Sequence, residues 1–329
     1  MGKIIKAAIA LQLIFASSIF GGGLTAMDIL NSDTGIRAIA MGGAYTAAGN
    51  DSEAIDYNPA GLAQITSSEA KAFYDRGMTG MIDLEMFNGI YAQPIETQFL
   101  DGYFAIQGLY RGVPGVMNPD AVDDQGNTVP SVAFSETFFK ATYAFNMAKL
   151  DLVDADFAKN LNIGASLGLA MEVIGPYTGS TIEMDAGAQY LVPNSNIRFG
   201  ASIMNLGLNV KVINDSAPLP LTIRLGAADS FRIDKSNVLL VSGDVIQDVY
   251  DYTRFAIGAE DKIMNIFAVR IGYNTSLDTR NASFLSTGCG VGLKFLDYTA
   301  TIDYTYRMEL YDAFTSFLSD NFFGIGVKF

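Results

Sequence analysis

The chain has 329 residues, half of them hydrophobic, with 33 glycines, 16 tyrosines, no histidine and a formal charge of −14. Without histidine, Ser-His-Asp and Cys-His catalysis and the usual zinc sites are excluded, and the lone Cys289 allows neither an internal disulfide nor a Cys-based metal site. An acidic balance with no Lys/Arg cluster gives nucleic acid nothing to bind, so no enzyme activity, metal, cofactor or nucleic-acid partner is expected.

Residues 1–26 read as a secretory signal. Lys3 and Lys6 supply the positive start, Ala7 to Phe20 the apolar stretch, and Gly21-Gly22-Gly23 or Leu24-Thr25-Ala26 a small-residue end. Cleavage after Ala26 would leave a chain of charge −16. No later window approaches the eighteen or more apolar residues of a membrane helix. Residues 27–66 follow, rich in small side chains and without a long apolar face. Gly42-Gly43 lacks side chains, so another backbone can approach closely there. Asp51 or Ser52 can cap a short helical turn through Ile55. Asn58 is pushed out of the helical region by Pro59 and can cap a second turn opened by Pro59 at Ala60-Gly61-Leu62. Two short helical pieces joined by tight breaks suit a compact plug better than a catalytic loop.

Residues 67–329 contain about fourteen segments that alternate with period two, near the length a tilted strand needs to cross a bilayer. Phe267, Val269, Ile271 and Tyr273 share one face against Ala268, Arg270, Gly272 and Asn274. Ile302 and Tyr304 likewise oppose Asp303 and Thr305, and Cys289 falls on the apolar face with Val291. One face is aromatic towards its ends and the other is rich in glycine and polar groups, as in a transmembrane barrel. The expected fold is all-β: a monomeric transmembrane antiparallel barrel of about fourteen strands, with the helical N-terminal piece inside its lumen. Short connections (192–195, 232–236, 261–265, 296–297) alternate with longer ones (112–130, 205–220, 247–252, 309–320), although two, near 94–101 and 149–158, are longer than this pattern wants. The segment Ile82 to Gln93 breaks its alternation near Phe87-Asn88, which predicts a bulge or kink.

The same alternation points Lys140, Glu172, Glu183, Asp185, Arg198, Arg224, Asp244, Arg254, Glu260, Arg270, Lys294, Asp303 and Arg307 into the lumen. Such charges must be paired or hydrated. They make either a structural ion-pair lattice around the plug or a polar constriction for a ligand headgroup. Phe138, Tyr103 and Phe284 are candidates for an apolar lining. Gly288-Cys289-Gly290-Val291-Gly292 alternates as a strand and opens no helix, so it is no nucleotide loop. Asp120 to Asn127 lacks the distal Glu of a calcium loop.

Arg37-Ala38, Met41-Gly42-Gly43-Ala44, Asp51 and Tyr57-Asn58-Pro59-Ala60-Gly61-Leu62-Ala63 resemble the N-terminal hatch of FadL-like outer-membrane proteins, most closely the PorV/PorQ branch. Leu219-Pro220-Leu221, Arg224-Leu225-Gly226, Asp244, Gly258, Glu260 and Ala268 to Tyr273 resemble that branch's strand sequences in order. The terminal Phe329 resembles the aromatic end of outer-membrane proteins. Tyr57 stands where many members carry Trp. The resemblance implies a Sec-exported barrel in the cell outer membrane, bathed in its lipid. It further implies passive transport of hydrophobic small molecules such as long-chain fatty acids. The alternatives are a PorV-like role as partner or cargo shuttle of protein-secretion machinery, and a structural surface protein.

Overall fold

The computed structural model describes residues 25–79, 82–96, 101–113, 134–150, 155–175, 177–211, 216–277, 283–311 and 316–329. The expected leader, up to residue 24, lies outside these, as does most of the connection 112–130, the Asp120 to Asn127 stretch included.

Fourteen antiparallel strands close into a barrel: β1 (Glu69–Thr79), β2 (Ile82–Glu96), β3 (Asp101–Val113), β4 (Phe134–Asn146), β5 (Leu161–Ile174), β6 (Tyr177–Leu191), β7 (Arg198–Gly207), β10 (Thr222–Arg232), β11 (Asn237–Asp248), β12 (Thr253–Ile263), β13 (Phe267–Ser276), β14 (Ser283–Phe295), β15 (Tyr298–Tyr311) and β16 (Ser316–Lys328). Between β7 and β10 the chain makes a small hairpin of β8 (Val210–Lys211) and β9 (Ser216–Ala217). The closure is β1 on β16, from Glu69 opposite Lys328 to Asp75 opposite Phe322. One end of the barrel therefore carries the start of β1 and the end of β16, and is called the terminal end below. The other is the loop end.

The alternation read from the sequence sorts the strands into two faces. Val269, Ile271 and Ile302 are 55%, 53% and 63% exposed, while Arg270, Asn274 and Thr305, of the opposite parity on the same strands, are buried. Cys289 is exposed on the outer wall. A closed barrel with apolar residues outside and polar residues inside inverts a soluble protein, and its outer surface is that of a membrane-spanning barrel. Tight turns at the terminal end are made by left-handed residues, Met264-Asn265 (φ 54° and 56°) and Leu296 (φ 54°).

Two expectations are corrected. β2 has no bulge at Phe87-Asn88: it stays in register with β1 from Ala92 to Ile82 and with β3 from Glu96 to Glu85. Its alternation is masked because Met86, Ile90 and Ala92 are apolar yet face inward, where they are buried. A register shift lies instead between Met184 and Ala186, where β6 meets β7. There Asn205 takes φ 62° and donates its N–H to Asp185 Oδ1 at 2.8 Å. Secondly, the long connection expected at 309–320 is mostly strand, since β15 and β16 pair out to Tyr311 opposite Ser316.

Candidate functional site

The lumen is occupied by residues 26–66, and the site is the seam between this segment and the wall. It is built from four short helical turns: Asp28–Asn31, the α-helix Ile36–Ala40, Ser52–Asp56 and Pro59–Gln64. Small residues keep the turns short and let them nest. Asp51 caps the third turn by accepting from Glu53 N, and Asn58 caps the fourth through Ala60 N. Asn58 is fully buried. Its amide also donates to Thr46 O at 2.8 Å and to Ala188 O on β6 at 3.0 Å, so one side chain ties both breaks to the wall. Gly42 and Gly43 take φ of 66° and 78°, a conformation that costs side-chain-bearing residues.

The wall meets this backbone with glycine. A Cβ on Gly164 or Gly187 would strike Pro59 or Asn58, on Gly200 Thr46, on Gly258 Met41, and on Gly272 the Met41-Gly42 peptide. Gly288 and Gly324 face Ala40 and Ile36 in the same way. The strand glycines thus form a belt on which the segment lies backbone to backbone.

Around this belt run charged clamps. Arg37 is 5% exposed and makes a two-pronged bond to Glu260, with Nε and Nη2 each 2.8 Å from a carboxylate oxygen. Its Nη1 donates to Tyr45 Oη, Asn50 and Asp51. Arg270 continues the chain from Glu260 (2.7 Å) to Asp303 (2.7 Å), and Lys71 joins Asp51 (2.9 Å) to Glu53 (3.0 Å). Burial works against the Asp51 carboxylate, but Lys71 and Arg37 outweigh it and hold the group well below the usual range. At Glu53 burial prevails over Lys71 and pushes the carboxyl up. A second clamp uses Asp244, whose Oδ2 accepts from Tyr45 N, Thr46 N and Thr46 Oγ1 at 3.0, 2.9 and 2.6 Å. Beside it Arg224 donates to Gly43 O at 2.7 Å and Asn274 to Gly42 O at 3.0 Å. A third joins Arg307 to Asp33 and Asp320, both at 2.7 Å, with Phe284 and Phe322 under the guanidinium.

Six of the thirteen charges placed in the lumen from sequence belong to these clusters, and most of the others make contacts of their own. Arg254 pairs with Asp248 at 2.7 Å, and Arg198 reaches Ala48 O at 3.4 Å. Lys140 lies 2.7 Å from Asp185 and 3.5 Å from Asp56. Glu172 accepts from Met27 N at 3.3 Å. Glu183 is fully buried, and neither of its carboxylate oxygens accepts a hydrogen bond from a described residue. Lys294 does not join them: it is exposed at the terminal end of β14, where its strand has passed below the plug. Sequence reasoning missed Arg37 as a charge centre, and it missed Glu53, Lys71, Arg111 and Glu136. Arg111 pairs with Glu136, which also accepts Ile29 N at 3.0 Å. The parity of β3 and β4 carried that signal, since Arg111 shares a face with the buried Gln107 and Glu136 with Lys140.

At the loop end the lining changes character. Phe73, Met86, Leu109, Phe138, Ala170 and Phe322, from six strands, converge on Met27 and Ile29. Val210 and Leu219, from the β7–β10 connection, close over them, and Ala26 N donates to Pro218 O at 2.9 Å. Phe138 thus belongs to an apolar chamber. Tyr103 packs with a separate cluster near the fourth turn, and Phe284 lies under Arg307. Beside the chamber a small cavity of about 40 Å³ is lined by Asp33, Asp56, Lys140, Arg224 and Arg254 among others.

No protein-family model matches the chain, and no curated protein matches it in sequence. Solved structures match it in fold. The toluene transporter TbuX of Ralstonia pickettii aligns over 90% of this chain and 97% of its own, with 13% identity and a TM-score of 0.58. The CymD monoaromatic hydrocarbon channel covers 93% and 98%, with 10% identity and a TM-score of 0.61. A FadL homologue of Pseudomonas aeruginosa covers 94% and 99%, with 10% identity and a TM-score of 0.53. The chain shares the fold of FadL-type barrels across nearly its whole length.

Proposed function

We propose that this protein is an outer-membrane channel for hydrophobic small molecules, its loop end outward and its terminal end in the periplasm, exported by a leader cleaved near Ala26. The observation that carries the reading is the apolar chamber at the loop end. A barrel passing only water or ions gains nothing from Phe73, Leu109, Phe138 and Phe322 facing its lumen, whereas an apolar solute leaving water is stabilised by them. Met27 and Ile29 fill that chamber at 0% and 1% exposure, so a solute would take their place. Monoaromatic hydrocarbons are the substrates named for the structures of similar fold, and long-chain fatty acids are the other class the chamber suits. Residues 27–66 act as the hatch, and the buried charges hold it.

One feature favours a second reading. The glycine belt leaves no gap between hatch and wall from β5 to β7 and from β12 to β14. A sealed barrel would serve as an outer-membrane partner of secretion proteins. Uptake by liposomes separates the two. Intact protein should give saturable entry of labelled toluene or fatty acid. Leu109→Asp, which puts a carboxylate in the chamber, should reduce it about tenfold or more. No entry of either probe, with secretion proteins retained by the purified barrel, would reverse the preference.

A further inference from the structure

The outer wall of β10, β11 and β12 carries a hollow. Outward side chains cross it in registered rows: Leu225, Val245 and Phe255, then Ala227, Gly243 and Ile257, then Asp229, Val241 and Ala259. Ala227 and Gly243 floor an apolar groove of about 570 Å³ between the rings of Phe231 and Phe255. The fold itself makes no demand for glycine at 243. A Cβ there would meet only Ala256 O at 3.7 Å, an ordinary contact, and φ is not positive. On the lumen side of the next strand, Gly258 is forced by Met41. The space left by Gly243 therefore opens outside the barrel, into the bilayer.

Asp229 lines the same groove. It stands between Ala227 and Phe231 on the outward face, while Ala228 beside it is buried on the inward one. It lies three residues from the end of β10, towards the terminal end of the barrel. A carboxylate on a lipid-facing wall is disfavoured unless something at the interface pairs with it. Ser230 N donates to one of its oxygens at 2.7 Å, which orients the group without neutralising it.

We propose that this groove binds a glycerophospholipid with a primary-ammonium headgroup, one acyl chain lying on Ala227 and Gly243 and the ammonium on Asp229. The direction is consistent: from Asp229 the apolar rows climb towards the middle of the membrane, so the headgroup sits in the leaflet at the terminal end. An ammonium brings both the opposite charge and the donors that the carboxylate accepts. The assignment depends on the barrel lying in a bilayer and is independent of what passes through it.

Native mass spectrometry of the full-length barrel, with phosphatidylethanolamine and phosphatidylglycerol as competing probes, tests it. Wild type should keep one phosphatidylethanolamine in preference to phosphatidylglycerol by about tenfold, the scale of one charge-assisted hydrogen bond. Asp229→Asn should hold either lipid equally. Gly243→Leu, which fills the floor, should hold neither while keeping its folded, heat-modifiable form. Asp261→Asn removes an outward carboxylate that does not line the groove and should behave as wild type. Equal retention of both probes by wild type, or retention undiminished by Gly243→Leu, would overturn the proposal. So would a dimer mass in place of the lipid adduct, which would give the groove to a second copy.

Discussion

Gly272 marks the tightest approach of backbone to backbone in the seam, where a Cβ would overlap the Met41-Gly42 peptide. Gly89 on the outer face of β2 has open space around its Cβ position. Gly272→Ala should therefore destabilise the folded barrel by about 1–3 kcal/mol, whereas Gly89→Ala should stay within about 0.5 kcal/mol. Thermal unfolding followed by circular dichroism would show the difference; equal shifts would mean that the belt does not bear on the plug. At Glu260 the issue is charge. Glu260→Gln would leave Arg37 and Arg270 facing each other without their shared anion, a loss of about 3–5 kcal/mol for a broken buried pair. The need for charge inside was legible from alternation, because Arg270 and Glu260 sit at lumen positions of period-two strands. Their common partner was not. Arg37 comes from a five-residue helix whose placement no local pattern encodes, and its pairing with Glu260 spans 223 residues of sequence.

The plug's turns were legible for a local reason. Asx residues that cap and prolines that open a turn act within three residues, so Asp51, Asn58 and Pro59 reveal the breaks without knowledge of the barrel. What they cannot reveal is tertiary override: β2 reads as irregular only because the plug covers an apolar inward face at Met86, Ile90 and Ala92. A pH test belongs to this element. Asp51 is depressed in the folded state, so its contribution is present above the ordinary carboxylate range and is lost as pH falls through the depressed folded value. Glu53, which is raised, has the opposite sign and favours the folded state as it protonates. Mild acid should therefore leave the plug seated, with loosening confined to strongly acidic solution. Asp51→Asn should flatten that acid limb in unfolding curves. A plug that loosens first near neutral pH, or an acid limb unchanged in Asp51→Asn, would remove Asp51 from the lock.

For the whole molecule, the inside-out distribution of polarity determines where it can live. Ile271 is half exposed at the middle of β13, so Ile271→Arg should lower stability in a bilayer by roughly 2–4 kcal/mol. Ala268→Arg, on the lumen side, should act through crowding and charge; matching effects on membrane insertion would refute the facing. Closure, strand number and facing were readable because each strand repeats the same two-residue signal. The loop-end chamber was not readable, because its six strands each contribute a single residue. The central claim is that residues 27–66 plug this barrel, and planar-bilayer conductance tests it most directly. Deleting residues 35–65 removes the helix, the caps and the contacts on the glycine belt, and leaves every barrel strand in place. The deleted protein should then conduct ions steadily while the intact protein stays closed. Equal silence from both would contradict the account.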